Sequence, residues 1–276
     1  MSEHDTKIAF IGGGNMAQAI VRGLLTAGHP AKHICVTDPS AEQRAVLADI
    51  DEQLVVMDDN VAATQATDVV VLAVKPQIIV QVASDLSAHI DTGRQLILSI
   101  AAGTTLDSLR DRIGEDARIV RAMPNQPALV GKGMSGLCAT DNVSDALKAT
   151  AGYIMAATGQ FEWFEDEATI DPLTAISGSG PAYFYLIMEI MQAIGEDFGF
   201  DADTARSLAV QTALGAAAVA DQSDESLQQL RERVTSPGGT TAAALDELEA
   251  AGIRDIFLAA LTAARNRSVE LGKLDD

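Results

Sequence analysis

Apolar residues fall into two textures along the chain. In the first half, short apolar runs alternate with stretches of helical spacing. The runs occupy residues 7–12 (KIAFIG), 34–38, 54–57, 68–74, 95–100 and 118–123, each of strand length. Residues 15–27 carry a helical pattern, and another starts near Ser40, a residue suited to an N-cap. Alternation of this kind predicts an α/β doubly wound domain, a parallel sheet with helices on both faces. Residues 134–139 and 160–164 read as further strands at one edge. From about Pro181 the strand signals stop. Ala, Leu, Glu and Met at helical spacing fill 181–198, 202–221, 225–234, 241–251 and 254–271. The change falls near 165–176, in the acidic, turn-prone EDEATIDP of 165–172, so the expected domains are 1–168 and an all-α 169–276. The small-residue stretch LGAAAVA (214–220) lets helix backbones approach closely, as a core helix or as a subunit interface.

Composition narrows the class. Of 276 residues, 47% are hydrophobic, which excludes a wholly disordered chain. No apolar run reaches the ~18 residues of a membrane span. The start of the chain, MSEHDT, is polar and acidic, unlike a secretory signal peptide. Cys35 and Cys138 are too few for a disulfide framework or a structural zinc site, so a cytoplasmic location and no metal are expected. With 19 Lys+Arg against 39 Asp+Glu, the net charge of −20 excludes nucleic acid and anionic membrane as main partners. Scarce lysine with abundant carboxylate fits adaptation to high salt and an ordinary acidic protein equally.

The first run leads into a glycine turn and a helix. Gly12, Gly14 and Ala17 fit G-x-G-x-x-A, in which the first glycine makes the turn, the second leaves room for a pyrophosphate, and the alanine lets helix and strand pack closely. The phosphates then meet free N–H groups at the helix start. Asp38, at the end of the second strand, can hold the adenosine ribose hydroxyls and repels a 2′-phosphate. Arg44, a turn further on, softens that repulsion. The residues lean towards NADH without excluding NADPH.

A dinucleotide enzyme that reduces a carbonyl needs a general acid or a metal to protonate the alkoxide. The histidines are His4, His29, His33 and His89, all outside the helical half, and the only lysines after Lys132 are Lys148 and Lys273. No Tyr-x-x-x-Lys is present, and no catalytic zinc site can be assembled. A protonated imine escapes the requirement, because it takes hydride and becomes an amine with no further proton. Such a substrate needs only positioning and exclusion of water.

In the helical half, Ser236-Pro237-Gly238-Gly239 breaks one helix, and Thr240 and Thr241 open the next. The turn presents backbone N–H groups with hydroxyls beside them, which suits a carboxylate, and a Thr hydroxyl can reach a ring nitrogen. A simple helix–helix turn with a Thr cap fits the same residues. SGSGPAYF at 177–184, with Pro181 suited to a first helical position, is a second such start or a domain-joining turn.

FIGGGNMA (10–17), LAVKPQ (72–77), SIAAGTTL (99–106) and VTSPGGTTAAAL (234–245), with RAMPNQPALV (121–130) and SGSGPAY (177–183), together resemble the pyrroline-5-carboxylate reductase family over nearly the full length. The resemblance implies a Rossmann-type dinucleotide-binding domain followed by an all-α domain for substrate and dimerisation. It implies reduction of 1-pyrroline-5-carboxylate to L-proline by NADPH or NADH, the last step of proline biosynthesis. Gly12, Gly14, Asn15, Met16 and Ala17 would line the cofactor, with Asp38 and Asn60 at its adenosine end. Ala73, Val74, Lys75 and Pro76 would follow along it, and Ala101 and Ala102 would lie near the nicotinamide. Lys75 would position a ribose or phosphate, or else is a solvated residue before Pro76. Ser236, Gly238, Gly239, Thr240 and Thr241 would hold the substrate, with Thr241 as the catalytic hydroxyl facing the ring nitrogen. Homodimers through the helical domain, and larger rings such as decamers, are implied as well.

Two residues depart from the family pattern. Gln126 stands where Thr is frequent, and Asp38 where many members carry a residue kinder to a 2′-phosphate; use of both cofactors is expected. A β-hydroxyacid dehydrogenase of the 6-phosphogluconate dehydrogenase kind would need a catalytic Lys in 181–199, which contains no Lys, Arg or His. A general imine reductase shares the chemistry, and only the 236–241 loop speaks against it. A non-catalytic dinucleotide sensor would have no use for that loop.

Overall fold

The computed structural model describes residues 5–65 and 67–273. The acidic start of the chain, including His4, lies outside the described residues. In chain order the first elements are β1 (Ile8–Ile11), α1 (Asn15–Thr26), β2 (Ile34–Thr37), α2 (Ala41–Ala48), β3 (Val55–Met57), α3 (Asn60–Gln65), β4 (Val69–Leu72), α4 (Pro76–Leu86), β5 (Leu96–Ser99), α5 (Leu106–Ile113) and β6 (Arg118–Met123). A 3₁₀ turn (Gln126–Val130) leads to β7 (Gly133–Ala139), α6 (Asp145–Ala156) and β8 (Gly159–Trp163).

The eight strands form one sheet in the order β3-β2-β1-β4-β5-β6-β7-β8. β1, β2, β4 and β5 are buried at every position, as continuous apolar runs in a parallel sheet require. Side chains alternate between its two faces. Ile8 and Phe10 join Ile20, Val21 and Leu24 of α1 and Ile154 and Met155 of α6. Ala9 and Ile11 join Ile79 and Ala83 of α4 and Leu109 and Ile113 of α5. This is the doubly wound sheet that the alternating pattern predicts. The two late strands lie at one edge, as expected. β7 runs antiparallel to β6, and β8 returns parallel to β7 by way of α6.

Two local features differ from the sequence pattern. β3 begins at Val55, because the Leu54 N–H closes a turn onto the Asp51 carbonyl (3.1 Å). The short α3 had no readable periodicity. It is started by Asp59, whose carboxylate accepts the N–H groups of Val61 (2.9 Å) and Ala62 (3.0 Å).

Beyond β8 come a 3₁₀ turn (Glu167–Thr169), α7 (Ile170–Leu173), a π turn (Thr174–Gly178), α8 (Gly180–Asp197), α9 (Ala202–Asp221), α10 (Leu227–Arg233), α11 (Thr240–Ala250) and α12 (Ile253–Gly272). Contacts divide the chain into two compact units. One comprises the described residues up to Ser179 with those from Ala264 on, and the other is Gly180–Ala263. The second unit is built of helices that have scarcely any core of their own. Among its described residues only Gly180, Ala205 and Ala209 are buried, while Phe184, Leu186, Ile190, Met191 and Leu214 stand exposed. The small-residue stretch of α9 is therefore not a buried core helix within one chain.

The sheet unit is tightly packed where α1 meets the end of α6. A Cβ at Gly23 would lie 2.0 Å from the Ala157 carbonyl oxygen. Gly23→Ala is expected to cost ~1–3 kcal/mol through the backbone shift it forces. A denaturant melt should show a lowered midpoint, and an unchanged midpoint would contradict this packing.

Candidate active site

Parallel strands in register end together, and the cofactor residues expected from the sequence follow those ends. Ile11 of β1 pairs with Thr37 of β2 and Leu72 of β4, Leu72 pairs with Ser99 of β5, and Thr37 pairs with Met57 of β3. Gly12, Asp38, Ala73, the 100–105 loop and the Asp58–Asn60 turn are thus the next residues off five neighbouring strand ends. β1 lies between β2 and β4, so the chain reverses its winding there, which is where open α/β sheets bind ligands.

The glycines of the turn do different jobs. Gly12 has φ +102°, and a Cβ there would sit 2.7 Å from the Ala73 carbonyl oxygen. Its absence of a side chain serves the fold. Gly14 has φ −65°, open to any residue, and nothing lies within 4 Å of where its Cβ would be. That free space fits a pyrophosphate. Between them, the Gly13 peptide is held at both ends. Its N–H donates to the Asp38 carboxylate (3.1 Å), and its carbonyl accepts from the side-chain amides of Gln43 (2.6 Å) and Gln18 (3.1 Å). Ala17 is buried at the α1–sheet contact, while Asn15 is exposed and Met16 half-buried at the helix start.

Asp38 is thus a clamp as well as a candidate ribose ligand. Its second oxygen accepts the Ser40 N–H (2.9 Å). Arg44 donates to the Asp38 and Pro39 carbonyls (2.8 and 3.0 Å) and lies 3.6 Å from the Asp58 carboxylate, which keeps a cation beside Asp38. Asn60 opens α3, and its side-chain oxygen accepts the buried Thr37 hydroxyl (2.6 Å). Val74 is half-buried, Lys75 is the exposed N-cap of α4 with no capping bond, and Pro76 is its first residue. In the 100–105 loop, Ala101 is buried and Ala102 exposed.

In the helical unit, Ser236, Gly238, Gly239, Thr240 and Thr241 surround the start of α11. The Gly239 N–H donates to the Ser236 carbonyl (3.0 Å), which folds the turn. Gly239 is the N-cap, Thr240 the first helical residue, and no side chain caps the helix. The Thr cap offered by the simple-turn alternative is absent. Side chains cap α2 (Ser40), α5 (Thr105), α6 (Ser144), α9 (Asp201) and α10 (Ser226). By contrast α1, α4 and α11, the starts assigned to ligands, have no side-chain cap, and neither does the four-residue α7 that continues a 3₁₀ turn.

Sequence reasoning missed two clamps. Asn125 donates to the carbonyl (3.1 Å) and hydroxyl (3.2 Å) of Ser177 and accepts the Met134 N–H (2.9 Å), so it ties the MPNQP and SGSG motifs together. Gln126 opens the 3₁₀ turn that follows. Glu167 bonds Arg121 (2.6 Å) and the Leu106 N–H (2.9 Å). Neither pairing has a local sequence signal, because the partners lie far apart along the chain. Burial pushes the Cys35 thiol up to about 11, and burial, then Glu167, pushes Cys138 up to about 12 despite Arg121. Neither is a thiolate nucleophile. Among the described residues no group of three or more His, Cys, Asp or Glu is placed to hold a metal.

The sequence profile described as pyrroline-5-carboxylate reductase dimerisation matches residues 167–271, and one described as NADP oxidoreductase, coenzyme F420-dependent, matches residues 7–103. Pyrroline-5-carboxylate reductase of Pseudomonas aeruginosa is 46% identical over 267 residues, 97% of each chain. The structure of a pyrroline-5-carboxylate reductase from Coxiella burnetii is 42% identical, with a TM-score of 0.92 over 97% of this chain and 98% of that one. The Plasmodium falciparum pyrroline carboxylate reductase, crystallised with NADP bound, is 30% identical, with a TM-score of 0.85 over 98% and 99%.

Gly14→Val should fold normally, at a cost of about 1 kcal/mol for a poor N-cap, yet lose most NADH binding in a fluorescence titration. A normal titration would contradict the placement of the pyrophosphate. Asp38→Ser should raise the NADPH-to-NADH ratio of kcat/KM by about tenfold, since one like charge near the 2′-phosphate is removed. An unchanged ratio would refute the role given to Asp38.

Proposed function

The chain belongs to the pyrroline-5-carboxylate reductase family, and we propose how its own residues serve that family's reaction. The reaction is reduction of 1-pyrroline-5-carboxylate to L-proline by hydride from NAD(P)H, the last step of proline biosynthesis. When bound, the reduced nicotinamide supplies the hydride. In this reading the residues expected before 168 hold the cofactor, and those after 168 hold the substrate and the second copy. The extent of the dimerisation profile, 167–271, supports that division.

On the cofactor side, Gly14, Asn15 and Met16 offer the pyrophosphate the N–H groups of an uncapped helix. Gly12 and Ala17 keep strand and helix close enough for that approach. Asp38 and Asn60 receive the adenosine ribose, Ala73 to Pro76 line the next stretch with Lys75 as a positioning cation, and Ala101 and Ala102 flank the nicotinamide. On the substrate side, the carboxylate takes the N–H groups at the start of α11, with Ser236, Gly238, Gly239 and Thr240 shaping the turn. Thr241, partly exposed there, accepts the ring N–H of the iminium with its hydroxyl oxygen. Hydride addition at the imine carbon, C2 of the pyrroline ring and C5 of the product proline, moves the C=N π electrons onto the ring nitrogen, which already bears its proton. No enzyme acid is consumed, in keeping with the absence of Lys, Arg or His from α8.

One observation carries this reading. The Gly-Gly-Thr-Thr helix start has no side-chain cap, so its N–H groups are available to an anion. A general imine reductase would have no need of a carboxylate cradle. The exposed apolar side chains of α8 and α9 suit burial against a second copy, and the protein is a homo-oligomer through this domain. Assembly of dimers into a larger ring such as a decamer, and a cytoplasmic location without membrane or nucleic-acid partners, complete the proposal. The acidic net charge speaks against nucleic acid and anionic membrane as partners, and among the described residues no helix is long and apolar enough to cross a membrane.

Thr241→Ala should lower kcat or kcat/KM for pyrroline-5-carboxylate while cofactor affinity stays near that of the parent. The lost hydrogen bond is worth ~0.5–1.5 kcal/mol, or up to ~3 if charge-assisted. Steady-state kinetics in both substrates checks this, and an effect confined to the cofactor KM would refute it.

A further inference from the structure

Arg121 lies in the middle of β6, and only 6% of its side chain is exposed. A buried guanidinium needs a partner, and Glu167 supplies one at 2.6 Å. The same Glu167 oxygen also accepts the N–H of Leu106 (2.9 Å). Leu106 is the first residue of α5, directly after the 100–105 loop, and the Thr105 hydroxyl caps that helix by accepting the Ser108 N–H (3.1 Å). One carboxylate therefore joins a central strand to the last fixed point of the loop.

The loop is also held at its entry and along its flank. At its entry the Ile100 N–H donates to the Leu72 carbonyl (3.1 Å), which continues the sheet. Along one side Leu271 and Gly272, at the end of α12, lie beside Gly103 and Thr105. That end of α12 is itself tied down by the Ser268 hydroxyl donating to the Asp171 carboxylate (2.6 Å). At the exit Glu167 holds it. A loop gripped at entry, flank and exit presents Ala101 and Ala102 in one position before any ligand arrives.

We infer that Glu167, itself oriented by the buried Arg121, is a positioning residue that fixes the exit of the 100–105 loop and thereby sets where the nicotinamide rests for hydride transfer. The inference rests on the placement of Ala101 and Ala102 beside the nicotinamide. Misplacement by about an ångström is enough to cost two orders of magnitude in rate, so a clamp this far from the chemistry affects turnover.

The test uses the full-length protein and three substitutions. Glu167→Ala removes both bonds. Glu167→Gln keeps an acceptor oxygen at the same reach. Glu167→Asp keeps the charge beside Arg121 but withdraws the carboxylate by one methylene, so it still folds should the alanine variant fail to. Amide hydrogen exchange of residues 100–106 in the cofactor-free protein should speed up by about tenfold or more in Glu167→Ala and Glu167→Asp, with β1 and β4 unchanged, and stay near parent rates in Glu167→Gln. With pyrroline-5-carboxylate and 4-deuterated NADH, kcat should fall by roughly tenfold to a hundredfold in the first two variants. Its deuterium isotope effect should rise as hydride transfer becomes limiting, and Gln should restore both. A merely structural role would reduce the number of active molecules and leave the isotope effect at its parent value. Parent-like loop exchange in folded Glu167→Ala or Glu167→Asp overturns the inference, as does an unchanged isotope effect. Lack of turnover by the parent would count against the reductase reading, while the exchange experiment would still decide the clamp.

Discussion

Every helix leaves its first N–H groups without partners inside the helix, and what satisfies them decides what the helix start can do. In α2, α5, α6, α9 and α10 a Ser, Thr or Asp side chain accepts one of those groups. The short α7, which continues a 3₁₀ turn, has no such cap, and in α1, α4 and α11 no side chain does so either. The last three also carry the glycine turn, the Lys75-Pro76 step and the Gly-Gly-Thr-Thr turn. A dinucleotide and a cyclic amino acid both bring anions, and an uncapped helix start meets an anion without a buried cation and its desolvation cost. An enzyme with net charge −20 can thus bind anionic ligands through local dipoles against an unfavourable overall field.

Such sites work only if the backbone that bears the N–H groups is held still. The Gly13 peptide is fixed at both ends by Asp38, Gln18 and Gln43, the Ser177 segment by Asn125, and the 100–105 loop by Glu167. These clamps use side chains from distant parts of the chain and order the turns before ligand arrives, which lowers the entropic cost of binding. The helical unit follows a different logic. With alanine and glycine at its few buried positions and large apolar side chains outside, it gains its burial from a second copy.

Much of this was legible in the sequence because it depends on local pattern. Buried strands are continuous apolar runs, the glycine turn follows one of them, and the switch to helical spacing marks the second domain. The glycine turn and Asp38 stand out as cofactor candidates because they follow strand runs, whereas Asn60, Ala73 to Pro76, Ala101 and Ala102 come from the family resemblance. What escaped was non-local. Glu167 sits in an acidic turn and looks solvated, yet it neutralises Arg121 across 46 positions. Asn125 reads as a turn residue but reaches Ser177 52 positions away. The place of Asp38 after β2 suggests a ribose ligand, and its bond to the Gly13 N–H emerges only when two strand ends lie side by side. α3, six residues long and begun by an Asp side chain, was too short to show a period.

Recognition of the substrate acid by main-chain N–H groups at the start of α11 is tested most directly by removing the acid from the substrate. The kcat/KM for 1-pyrroline, the same ring without its carboxylate, is compared with that for 1-pyrroline-5-carboxylate at fixed NADH. Hydrogen bonds to a charged group are worth ~1.5–3 kcal/mol each, so the ring lacking the acid should be slower by roughly a hundredfold or more. Equal turnover of the two rings would contradict it.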